Sequence, residues 1–123
     1  MKHFKTSQFL STENPNPRER YRVEILTSEH SFKDLGGLLG VLPAGCSIPY
    51  HFHKERESVL MALSGEAIEI VEGEELRFRE GDVICISAGE MHGLKNTSNK
   101  EFRYIEFFTY PPASADFIEL KSL

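Results

Sequence analysis

From Tyr21 onward, turn-forming residues interrupt the chain every few positions, and no stretch between them has room for an amphipathic helix of three turns. That punctuation restricts the fold more than any other feature. The runs between turns are short and either alternate or are wholly apolar: Tyr21–Leu26, Leu38–Leu42, Val59–Leu63, Ala67–Val71, Leu76–Arg79, Val83–Ile86, His92–Asn96 and Arg103–Thr109. One more short edge strand is expected within Asp116–Lys121. Roughly eight or nine such strands predict an all-β sandwich or barrel. Ser28–Leu35 has room for a single helical turn, which Gly36 and Gly37 would end. Val59–Leu63 is apolar at both parities, so cover on both faces is expected, from a second layer or from another subunit. Gly45, Gly65, Gly81 and Gly89 stand where turns call for positive φ.

A chain of 123 residues supports one domain with a core, not two. We expect an arm over residues 1–20, because Asn14-Pro15-Asn16-Pro17 cannot hold a central strand, and a single barrel over residues 21–123. The formal net charge of -5 gives no electrostatic reason to expect nucleic acid or an anionic membrane as partner. The basic stretch Arg18–Arg22 is broken by Glu19 and reads as a solvated arm. Met1–Leu10 has no apolar core of the secretion-signal kind, and no apolar run reaches the length of about 18 residues that a membrane span needs, so a cytoplasmic protein is expected. Cys46 and Cys85 form no disulfide framework, and both read as reduced thiols, Cys85 packed in the core within Val83–Ile86.

His51 and His53 are separated by one residue, which on a strand aims both imidazoles at one face. Glu57 follows four positions later, and His92 lies far along the chain after the turn at Gly89. If a barrel brings them together, these residues form a divalent-metal site with positions left open for water or a ligand. A His-x-His pair alone is equally common on an ordinary surface. His3 and His30 are isolated and read as surface residues, and Phe52, of opposite parity to the histidines, as packing outside the pocket.

Two segments resemble the two sequence motifs of the cupin superfamily. The first runs from Gly45 through His51, His53 and Glu57 to Gly65; the second runs from Gly81 through Gly89 and His92 to Asn96, with Ser87 where the family usually has proline. The likeness extends over residues 36 to 110. It implies a cupin double-stranded β-helix, a jelly-roll-like barrel, with a divalent transition metal (Fe, Mn, Ni, Zn, Co or Cu) held by His51, His53 and His92. The family's glutamate position, counted back from Gly65, falls on Ser58, while Glu57 sits one residue early, and a slip of one residue reverses facing. Glu57 joins the metal if the chain has not yet entered the strand, or if a bulge re-aims it; otherwise the site has three histidines. Asn96 matches the family pattern and is expected to serve the backbone.

By parity Ser58, Leu60 and Ala62 face the pocket, and so do Tyr104, Glu106 and Phe108 if that face of the last strand is the inner one. Three functional classes follow from the resemblance: a metal-dependent dioxygenase, isomerase or decarboxylase acting on a small molecule; a small-ligand-binding or sensing module without turnover; and a degenerate structural cupin. A homodimer is expected, because Val59, Met61 and Leu63 form an apolar stripe opposite the pocket face.

Overall fold

The computed structural model describes residues 1–7, 18–27 and 32–120. Its ten strands are β1 (Tyr21–Leu26), β2 (Leu35–Leu42), β3 (Ser47–Phe52), β4 (Ser58–Ser64), β5 (Glu66–Val71), β6 (Glu74–Arg79), β7 (Val83–Ile86), β8 (His92–Lys95), β9 (Phe102–Thr109) and β10 (Ile118–Glu119). They form two antiparallel five-stranded sheets, in the orders β1-β2-β9-β4-β7 and β10-β3-β8-β5-β6. The all-β architecture of two sheets expected from the turn spacing is therefore present.

Period-two alternation decides what lies between the sheets. On β4, Ser58, Leu60 and Ala62 are buried while Val59 and Met61 face outward. The inward residues of both sheets form one apolar core that includes Leu42, Leu60, Phe78, Phe102, Tyr104 and Phe108. Phe78 and Phe102 are wholly buried, with ring centroids 5.5 Å apart. Burying each such ring contributes about 1.5–3 kcal/mol. A second, smaller cluster lies on the outer face of the first sheet, where Ile25, Leu26, Leu39 and Ile105 receive Phe4 from the N-terminal segment. The beginning of the expected arm thus lies on the barrel, whereas Asn14–Pro17 falls outside the described residues.

Two expectations need correction. Gly36 and Gly37 do not end a helical turn; they lie inside β2. A Cβ on Gly36 would sit 2.4 Å from the Phe108 ring, and one on Gly40 would sit 2.1 Å from the Tyr104 ring. The glycines are there so that large rings of the neighbouring strand β9 can lie flat across β2. The rest of the proposed turn, around Ser28 to Ser31, lies outside the described residues. Cys85 is not a core residue: β7 alternates, Ile84 and Ile86 point inward, and Cys85 is exposed. Both cysteines are free thiols. Gly45, Gly65, Gly81 and Gly89 all have positive φ, as expected. Asn96, 1 % exposed, donates to the carbonyls of Leu42 and Lys100 and so ties two turns together. His3 is exposed, Phe52 is half-buried, and His30 lies outside the described residues. No helix among the described residues is long and apolar enough to cross a membrane.

Candidate metal centre

β3 and β8 are paired so that His51 stands opposite His92, and His53 follows just beyond the end of β3. All three histidines are buried, and their ligand atoms lie within 4.8 Å of one another. The His51 and His92 rings are 4.2 Å apart by centroid, and those of His51 and His53 4.9 Å. Phe117 stacks on His51 at 4.3 Å and closes the group from the side of β10.

The backbone fixes which nitrogen is free. His51 Nδ1 donates to the Pro49 carbonyl (2.6 Å), His53 Nδ1 to the Asp116 carbonyl (2.6 Å), and His92 Nδ1 to the Glu90 carbonyl (2.9 Å). A carbonyl can only accept, so each Nδ1 carries the proton and each Nε2 keeps its lone pair. Burial pushes all three imidazoles below their usual proton affinity; for His51, with His92 beside it, the pKa falls to about 3. The triad is therefore neutral in ordinary buffers, which is the form that binds a metal. Three oriented imidazole nitrogens with open positions suit a divalent transition ion.

Glu57 does not join them. It is exposed, its N–H donates to Thr109 Oγ1 (3.0 Å), and its carbonyl accepts from the Thr109 N–H (3.1 Å). The chain has already entered its ladder with β9 at this point, so Glu57 takes the outward parity and Ser58 the inward one. Of the six residues expected in the pocket wall, Leu60, Tyr104 and Glu106 line the cavity of about 70 Å³ in front of the triad. Ser58, Ala62 and Phe108 are buried behind that wall.

Several wall residues carry no signal in the motif pattern. Arg56, within the polar turn Lys54-Glu55-Arg56, is 3 % exposed. Its guanidinium lies 4.5 Å over the Phe108 ring and donates to the carbonyls of Pro112, Ala113 and Ala115. Glu69 on β5 is 2 % exposed and lines the same cavity. Burial, reinforced by the nearby Glu106, raises its carboxyl well above the usual range. Glu106 opens onto the cavity and is otherwise enclosed; burial raises its carboxyl too, against the opposing effects of Ser58 and Arg56. Glu69 could have been noticed as a lone acid between two isoleucines, although simple alternation would have turned it outward.

Comparison with known proteins identifies the family. The chain is 30% identical over 64 residues to the oxalate-binding protein of Thermotoga maritima, covering 52% of this chain and 53% of that one. It is 26% identical over 98 residues to the tetracenomycin polyketide synthase protein TcmJ of Streptomyces glaucescens, covering 78% of this chain and 66% of that one. The chain thus spans between about half and two thirds of these relatives' own length. Among solved structures, a conserved Klebsiella pneumoniae protein with a double-stranded beta-helix domain superposes with a TM-score of 0.78 at 21% identity, covering 98% of this chain and 99% of that one. The family model of the Cupin domain matches residues 38–108, from the middle of β2 to the end of the last long strand, and the chain belongs to that family.

Proposed function

We propose that this protein is a metal-binding cupin that holds one divalent transition ion per chain through His51, His53 and His92 and binds or acts on a small molecule in the adjoining pocket. The observation that carries this reading is the set of three Nδ1–H···O=C bonds, which leaves three buried, neutral, convergent Nε2 atoms. Such a donor set accepts Fe, Mn, Ni, Zn, Co or Cu. A bound ion would supply Lewis acidity toward a substrate oxygen or a water. The chain itself orients the imidazoles, walls the cavity with Leu60, Tyr104 and Phe117, and places there two acids, Glu69 and Glu106, whose proton affinity burial raises. The name of the Thermotoga relative supports a small oxygen-bearing molecule as the occupant. Untagged protein produced with transition metals in the medium should contain close to one such ion per chain, and the His51→Ala/His53→Ala variant none. Failure to take up any of the six ions would overturn the reading.

The barrel of residues 21–123 is the unit to which we assign this role, and we infer that it works as a homodimer in the cytoplasm. Val59 pairs with Phe107 and Cys85, and Met61 with Val83, so their outward side chains form one continuous apolar patch. Val59, Met61, Val83 and Phe107 are 37–56 % exposed in the single chain, and a patch of this kind is the usual mark of a subunit contact. The two free thiols fit a reducing compartment. Light scattering that returns the mass of one chain, 14.0 kDa, would overturn the dimer.

A further inference from the structure

Among the described residues, two buried side-chain polar atoms that lack a hydrogen-bond partner belong to the pocket lining: Arg56 Nε and Glu69 Oε2. They are not scattered. Arg56 and Glu69 both line the cavity in front of the triad, as does Glu106. Folded proteins leave few such atoms unpaired, because each costs free energy. Their concentration in one wall marks a surface that is completed by something outside the chain.

The chemistry of the wall defines that partner. Glu69 is nine-tenths or more enclosed, and the charge that acts on it is the neighbouring carboxyl Glu106. Burial raises its proton affinity, and a carboxyl that carries its proton offers one donor and one acceptor. A buried carboxyl with an unpaired oxygen suits a hydroxyl or carbonyl oxygen as its partner. A second cavity shares Arg22, Ile48, Tyr104 and Phe117 with the first and is lined by Arg20 as well, which places two cations beside the pocket of a chain whose net charge is -5.

We propose that Glu69 is the specificity-determining residue of this pocket: it receives the hydroxyl or carbonyl oxygen of a small carboxylic acid whose carboxylate rests at Arg22 and Arg20. This rests on the reading of the pocket as a small-molecule site, and not on the metal. A cavity of about 70 Å³ restricts the buried part of the ligand to a few heavy atoms.

Four three-carbon probes separate the two contacts: lactate and pyruvate carry both features, propionate lacks the neutral oxygen, and 1,2-propanediol lacks the charge. Binding is followed by amide chemical shifts of the isotope-labelled full-length chain, once after chelation and once with zinc added. Lactate or pyruvate should bind at least about tenfold more tightly than either propionate or propanediol. Glu69→Leu should shrink the advantage over propionate to less than about threefold, while Glu69→Gln, which keeps a donor and an acceptor, retains it. Arg22→Ala should shrink the advantage over propanediol. The same spectra report folding, and Glu69→Ala serves if the leucine variant does not fold. An undiminished preference in Glu69→Leu, or a wild-type protein that does not discriminate among the four, overturns the proposal. A preference seen after chelation in a protein that takes up no zinc leaves Glu69 standing and removes the metal; zinc uptake without preference does the reverse.

Discussion

The two walls of the pocket are built on opposite principles. On the histidine wall each ring nitrogen that faces the protein is bonded to a backbone carbonyl, so the geometry is set before anything binds. On the acid wall Glu69 and Arg56 are buried, each with an atom unpaired. The first wall is preorganised, which is how oriented histidines gain affinity for an ion. The second stores unsatisfied hydrogen bonds, which become binding free energy only when a matching molecule arrives. One cavity thus combines a rigid half with a half that discriminates.

This contrast can be broken most directly at the rigid wall. His92→Ala should lower zinc affinity by more than about 100-fold, beyond the cost of losing a supporting contact, whereas Glu57→Gln should leave it within about twofold. Calorimetric titration of the chelated protein distinguishes these, and a large loss in Glu57→Gln would restore the carboxylate to the site. The next effect is that of the support. Asp116 accepts from the N–H groups of Lys54, Glu55 and Arg56 (2.8, 2.7 and 3.1 Å), and its carbonyl holds His53. Asp116→Ala should cost about 1–3 kcal/mol in denaturant unfolding and about tenfold in zinc affinity. A loss of stability with unchanged affinity would show that His53 is oriented by other contacts.

Acidity sharpens the comparison, because the walls respond with opposite sign. In the metal-free protein the folded histidines resist protonation that the unfolded chain accepts near 6.5, so their wall loses stability as pH falls from 6.5 toward about 3, the folded value for His51. Glu69 has a raised folded pKa, so it favours the folded state below 4.5 and loses that contribution as pH rises above it. Glu69→Gln should therefore gain stability over wild type at pH 7 and lose most of that gain at pH 4, as read from denaturation midpoints. A gain that does not depend on pH would mean that Glu69 is not titrating against burial. The smallest expected effect is that of Cys85→Ser on the outer face, within about 0.5 kcal/mol in the single chain.

The histidine wall was legible in the sequence because its information is local. The His-x-His spacing gives a shared face on any strand, and the second motif supplies His92 at the start of another. The slip between Glu57 and Ser58 was also legible, but its outcome depends on whether the strand has begun, and that is decided by Thr109, far along the chain. The acid wall was not legible for the same reason. Arg56 reads as one more polar turn residue until Phe108 and the carbonyls of residues 112 to 115 surround it. Gly36 and Gly37 looked like breakers because their use depends on rings from a strand about seventy positions away. Cys85 was misplaced because a four-residue apolar run does not reveal its parity.

The bond from His53 to Asp116 spans 63 positions, and the Glu24 carboxylate reaches Ala113 across 89. These are long loops to close, and contacts of such separation form late in folding. His51 and His53 emerge from the ribosome well before Asp116, which fixes the second of them. During synthesis the early histidines therefore have their chemistry but not their orientation. Any metal held at full affinity is thus expected to be captured only after the barrel has closed.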